Sequence, residues 1–342
     1  MPSPTFASHA LLVAAAAFPV AAAVAPAPAQ TTAPASQPAT LRANSFVPGV
    51  PTFDPTKPRE VPVTFGPHGL PMVAATIDGH ALPPFVFDTG AAAMVITPKS
   101  AEKAGLAVNG GIEAAGTGGN VQRPTRRGGA FVLGPLTLTD CTWLDLPELD
   151  GPFATLAFGG PVGGIVGRDV LMSGLVELDW VGKRVVLHGN DPAALKAPQL
   201  PAGVGWQKLE FVNDLPTVRC TFEGVDGLFM LDTGHDGGVQ FEGTSVQKHK
   251  LLDGRNTTGG GIAGVGGARK SVKGTLKSFT LAGVDHADVP AAFATQPRPG
   301  EPERAGLIGM ELLRRYRILI DAPNARIALI PLPKEQWAIV KK

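Results

Sequence analysis

The sequence predicts a mainly β protein built from two copies of one unit. Three observations lead there: an acidic turn written twice, a longer ungapped repeat downstream of each turn, and abundant glycine and proline. "FVFDTG" (85–90) returns as "LFMLDTG" (228–234). "GIVGRDVLMSGLVELDWVGKRVVL" (164–187) aligns without a gap on "GLIGMELLRRYRILIDAPNARIAL" (306–329), so that Gly164 meets Gly306, Gly167 meets Gly309, Asp179 meets Asp321 and Arg184 meets Arg326. Upstream, "GLPMVAATIDGH" (69–80) resembles "DLPTVRCTFEGV" (214–225). Self-similarity of this kind identifies a duplicated structural unit. The 43 Gly and 33 Pro among 342 residues favour short strands and many turns over long helices.

Along the chain, residues 1–29 read as an export signal: an apolar run (10–24) followed by the small-residue pattern Ala27-Pro28-Ala29. No Lys or Arg precedes that run, so an uncleaved N-terminal anchor is the alternative. No later stretch looks transmembrane. Residues 30–60, rich in Pro and Ala, read as a linker or a short propeptide whose Lys57 or Arg59 would pair with active-site acids. The first copy spans 61–195 and the second 196–342. In the first, "MVAATIDG", "FVFDTG", "AMVIT", "FVLGPLTLTD" and "LVELDW" are short β-rich runs closed by turn residues. "PKSAEKAGL" (98–106) and "GRDVLM" (167–172) are its two expected helices.

Composition narrows the partners. Thirty basic residues against 29 acidic ones leave a net charge of +1, which supplies no electrostatic reason for nucleic acid or an anionic membrane. Cys141 and Cys220 fall at non-equivalent places in the two copies and read as two separate buried thiols, although export would permit pairing. H-E-x-x-H, G-x-S-x-G and paired C-x-x-C motifs are absent, so metalloprotease, serine hydrolase and zinc-ribbon chemistries lack their residues. Gly259, Gly261 and Gly264 match a G-x-G-x-x-G spacing, but no strand–helix context surrounds them.

The apolar-apolar-Asp-Thr-Gly loop (Phe87–Gly90; Leu231–Gly234) and the later apolar-apolar-Gly strand with its short helix (Ile165–Gly167; Leu307–Gly309) each occur in both halves. In these two motifs the chain resembles the aspartic proteases of pepsin-like and retropepsin-like type, over roughly residues 61–330. The resemblance implies the acid-protease fold: two homologous β-barrel-like lobes, related by a pseudo-twofold axis, with an active-site cleft between them. It also implies a catalytic pair, Asp88 and Asp232. Two adjacent carboxylates share one proton, so the ionised member takes a proton from a water and the protonated member donates to the developing oxyanion. Thr89 and Thr233 would hydrogen-bond the opposite loop, and Gly90 and Gly234 would let the loops approach.

A cover is also expected. "GGIEAAGTGGN" (110–120) and "TTGGGIAGVGGA" (257–268) are candidate flaps or cleft-edge loops, with ordinary flexible loops as the alternative. Two positions depart from the family pattern. Ala91 offers no hydroxyl to its aspartate, which leaves the pair less acidic, and His235 either places an imidazolium beside Asp232 or points to solvent. The sole tyrosine, Tyr316, lies far from either flap, so the flap tyrosine of pepsin-like enzymes is missing. Arg123, Arg126 and Arg127 either favour acidic substrate residues or form a solvated hairpin face.

The resulting expectation is an exported aspartic endopeptidase, periplasmic or secreted, acting as a monomer on polypeptide substrates with no cofactor and no metal. Self-processing within residues 30–60 would be a further activity of such an enzyme. The competing expectation is a catalytically inactive scaffold of the same fold that binds peptides or envelope components.

Overall fold

The computed structural model describes residues 47–117, 119–190 and 199–337, with a two-residue strand, Leu11–Leu12, parallel to 114–115. The cleavage position read near Ala29 and the copy boundary read at 195/196 lie outside the described residues. Among the described residues no helix is long and apolar enough to cross a membrane.

Two similar β-rich lobes follow the repeat. In the first, Phe85–Phe87 runs parallel to Gly164–Val166, which is antiparallel to Met94–Ile96, itself parallel to Thr142–Asp145. In the second, Val225–Leu231 runs parallel to Gly306–Ile308, which is antiparallel to Val239–Phe241, itself parallel to Val284–Ala294. Even the register repeats: Val86 faces Ile165 as Met230 faces Leu307. Strands buried on both faces read as continuous apolar runs, which is why "FVF" and "MVI" carry no alternation. Behind each acidic loop an edge-to-face aromatic pair fills the core, Phe85 with Phe131 (centroids 5.5 Å apart) and Phe229 with Phe279 (5.1 Å).

The lobes share one sheet. Leu175–Asp179 pairs antiparallel with Tyr316–Asp321, in a register that sets Leu175 opposite Asp321 and Leu178 opposite Ile318. Arg184–Gly189 and then Glu60–Phe65 extend it on one side; Arg326–Pro331 and then Gln207–Lys208 extend it on the other. The strand order therefore reads the same from either end, as a pseudo-twofold axis between the two central strands requires. The repeated Asp179/Arg184 and Asp321/Arg326 are clamps across the two equivalent hairpin ends, with Nε–Oδ2 distances of 2.9 and 2.6 Å.

Two expectations need correction. The linker read over 30–60 stops short of its expected end, because Val50–Phe53 is an edge strand paired with Leu136–Thr139 and Phe53 packs on the core. Pro51 hides that strand from periodicity, and an edge tolerates it. Lys57 pairs with Asp54 at 4.0 Å instead of with the acidic loops. The first lobe also contains a third helix, Pro152–Phe158, entered by proline at its first turn and ended by the left-handed Gly159 (φ 75°). "PFATLAF" has no charged residue to mark a helical face, so it carries no amphipathic signal. Both expected helices form, as Pro98–Lys103 and Arg168–Met172.

Candidate active site

Each acidic loop leaves the end of a buried strand and turns under the Gly-led strand of its own lobe. Asp88 N–H donates to Val166 O (2.8 Å) and Asp232 N–H to Ile308 O (3.0 Å), which fixes both loops to equivalent neighbours. The following glycine is required by contact: a Cβ on Gly167 would lie 2.1 Å from Asp88 O and 3.0 Å from the Ala91 methyl.

The loops are then tied to each other across the axis. Thr89 Oγ1 donates to Leu231 O (2.7 Å) and accepts from Thr233 N–H (3.1 Å). Reciprocally, Thr233 Oγ1 donates to Phe87 O (2.6 Å) and accepts from Thr89 N–H (3.0 Å). All of these atoms belong to buried residues, so the four bonds fix the separation of the lobes with little competition from water.

That separation places Asp88 and Asp232 side by side, 0% and 1% exposed, with carboxyls close enough to act directly on one another. Asp88 Oδ1 accepts from the Gly90 amide (2.8 Å) and the Gly234 amide (3.2 Å). Asp88 Oδ2 and Asp232 Oδ1 have no protein partner of hydrogen-bond geometry. Gly234 makes the approach possible, since a Cβ there would sit 2.4 Å from Asp88 Cγ. Burial pushes the Asp88 carboxyl well above the usual carboxylate range, and the neighbouring Asp232 charge pushes it the same way. Burial likewise pushes Asp232 up to about 6, against the neighbouring Asp88 carboxyl, the Arg304 charge and the Gly234 and His235 amides. Such a pair holds a shared proton into the mildly acidic range.

The two departures from the family pattern resolve differently. Ala91 is fully buried against Gly167, and its methyl offers nothing to the carboxylates. His235 meets neither expectation. Its ring is buried, packed where Gly237 and Gly309 leave space, and burial pushes it down to about 4. It is therefore neutral at pH 7 and does not face solvent. Because this folded value lies below the ordinary 6.5, His235 contributes stability above pH 6.5 that is lost as pH falls toward 4. An NMR titration is expected to show this ring unchanged between pH 8 and 5; a midpoint near 6.5 would contradict its burial.

Both glycine-rich stretches are hairpins, Val108–Gly116 with Gly119–Arg127 and Thr258–Gly264 with Gly267–Leu281. Their tips touch: a Cβ on Gly116 would lie 2.1 Å from Val265 O, and one on Gly266 would lie 2.3 Å from Gly119 O. Gly259, Gly261 and Gly264 sit within a strand of the second hairpin, which removes the phosphate-loop reading. Gly116→Ala is expected to part the tips, since its methyl would meet the backbone and side chain of the buried Val265. If the chain cleaves peptides, it should lower kcat/KM about tenfold, through KM; a wild-type KM would show that the tip contact is dispensable.

Other candidates are structural. Arg126 pairs with Asp145 (2.8 Å), Arg127 with Asp140 (2.8 Å) and Arg123 with Glu148. Burial keeps the free thiols of Cys141 and Cys220 protonated, the first pushed up to about 12. Tyr316 is buried, its hydroxyl donating to Leu281 O (3.1 Å). Sequence reasoning missed Arg304 and Glu242, a buried pair beside the second loop (Nη2–Oε1 3.0 Å). It also missed a small apolar cluster joining Ala92 of one lobe to Leu215, Met230 and Leu307 of the other. The repeat itself held a signal for the charged pair, because the equivalent places in the first copy are the uncharged Thr97 and Val162.

A search of curated proteins finds no match. A family model described as aspartyl protease matches the chain twice, over residues 73–170 and again over 218–312. Each match contains one Asp-Thr-Gly loop and its Gly-led strand, and the two together cover more than half of the sequence. The chain therefore belongs to the aspartyl protease family.

Proposed function

We propose that this protein is an exported aspartic endopeptidase that hydrolyses peptide bonds with Asp88 and Asp232 as its catalytic pair. The observation that carries the reading is the juxtaposition of two buried carboxyls, each raised by burial and each with one unpartnered oxygen, on loops locked together by Thr89 and Thr233. The ionised carboxylate takes a proton from water as its oxygen attacks the scissile carbonyl, while the protonated carboxyl donates to the carbonyl oxygen. Collapse of the tetrahedral species expels the amine, which receives the proton first taken from water.

The contacting hairpin tips support an extended polypeptide as substrate, since closing both over it would exclude water and present backbone partners along its length. Export rests on the apolar N-terminal run. The test is to incubate the full-length purified protein with unfolded casein between pH 4 and 7 and to map new termini by mass spectrometry. New termini that vanish in Asp88→Asn are expected. Binding of casein without new termini would favour the non-cleaving scaffold.

A further inference from the structure

The two acidic loops make equivalent backbone contacts, yet their surroundings differ in charge. Thr97 caps the Pro98–Lys103 helix in the first lobe, its oxygen accepting from Ser100 N–H. The residue at the same place in the second lobe, Glu242, makes no capping bond. Its carboxylate instead holds Arg304 (Nη2–Oε1 3.0 Å) and Arg269 (Nη2–Oε2 2.8 Å), with 2% of Glu242 and 8% of Arg304 exposed. Arg304 enters from the bend just before the Gly306–Ile308 strand, and its Nη1 reaches Met230 Sδ at 2.9 Å. Met230 lies two residues before Asp232, which directly follows the end of the Val225–Leu231 strand. The guanidinium thus reaches the segment that ends in Asp232, and its positive charge favours the ionised carboxylate. The first lobe has the apolar, buried Val162 at the equivalent place.

We propose that Arg304, held by Glu242, is a positioning residue that breaks the twofold symmetry of the catalytic pair, making Asp232 the base that activates water and leaving the shared proton on Asp88. This inference rests on the proposed catalytic pair. The charged groups around Asp232 agree with it. Asp88 faces it from the opposite loop, Arg304 from the bend before the Gly306–Ile308 strand, and His235 on its own loop is neutral. Arg298 and Glu301 complete the cluster behind Arg304, whereas His68, Lys273 and Glu311 act on Asp236. The Gly90 and Gly234 amides on Asp88 Oδ1 favour the opposite assignment, and the Arg304 charge acts against them.

The experiment compares pH profiles of kcat/KM for full-length Arg304→Met, Arg304→Lys and Glu242→Gln on a quenched-fluorescent casein, with folding checked by circular dichroism. Arg304→Met is expected to move the acid limb upward by on the order of one pH unit, because ionisation of the pair loses a nearby positive charge. Glu242→Gln is expected to move it downward, because the Arg304 charge loses its counter-ion. Arg304→Lys should stay near the wild-type position. A purely structural role would lower activity in all three without moving the limb, or move it in one direction, and either result overturns the inference. Where Arg304→Met does not fold, the downward shift in Glu242→Gln and the unshifted Arg304→Lys decide it. Asp88→Asn separates the two readings: residual cutting in that variant removes the catalytic pair itself, whereas a dead Asp88→Asn beside an unmoved limb removes only the role of Arg304.

Discussion

Asp88→Asn is expected to abolish peptide-bond cleavage while leaving the fold more stable at neutral pH. The loss of activity should be at least about a thousandfold, since a carboxamide cannot pass a proton between water and the carbonyl oxygen. Asn Oδ1 can still accept from the Gly90 and Gly234 amides, so the loop keeps its bonds. The stability gain follows from linkage. Burial raises both carboxyls above their ordinary 3.8, Asp232 to about 6, so their stabilising contribution is complete below pH 3.8 and is lost as pH rises through the folded values. At pH 7 the native pair therefore carries a penalty that Asn lacks. Melting curves of the variant and wild type should diverge at pH 7 and converge near pH 4. An inactive variant that melts below wild type at pH 7 would mean that inactivity reflects damage, and cleavage by the variant would remove Asp88 from the chemistry.

The fold was legible because duplication left two copies of every decisive signal. The Asp-Thr-Gly turns, the Gly-led strands and the Asp179/Arg184 and Asp321/Arg326 clamps recur at matching places. What stayed hidden depends on contacts between segments far apart in sequence. Val50–Phe53 becomes a strand only because Leu136–Thr139 offers it an edge. His235 is neutral because Gly237 and Gly309, its hosts, leave a buried space, which no property of the tripeptide around it reveals. The Glu242–Arg304 pair is the instructive miss, since each member alone reads as an ordinary surface charge. Burial together beside Met230 turns the pair into a local field.

Thr89→Val is expected to weaken the protein as strongly as Asp88→Asn spares it. The replacement has nearly the same shape but removes one hydroxyl that donates to Leu231 O and accepts from Thr233 N–H. Both backbone groups are then buried without partners, at about 1–3 kcal/mol each, so a total of about 2–6 kcal/mol is expected. Thr233→Val removes the reciprocal bonds to Phe87 O and Thr89 N–H and should cost a similar amount. Because either loss lets the lobes shift, the double variant should cost clearly less than the two singles together, which denaturant titration of all four proteins would measure. Thr89→Ser, which keeps the hydroxyl, should recover most of the stability. Activity of Thr89→Val should fall through kcat, since the carboxyl spacing is what the hydroxyls hold. A Thr89→Val protein that denatures like wild type would show that the shared sheet between Leu175–Asp179 and Tyr316–Asp321 suffices to hold the lobes, and that the threonine bonds contribute nothing to their spacing.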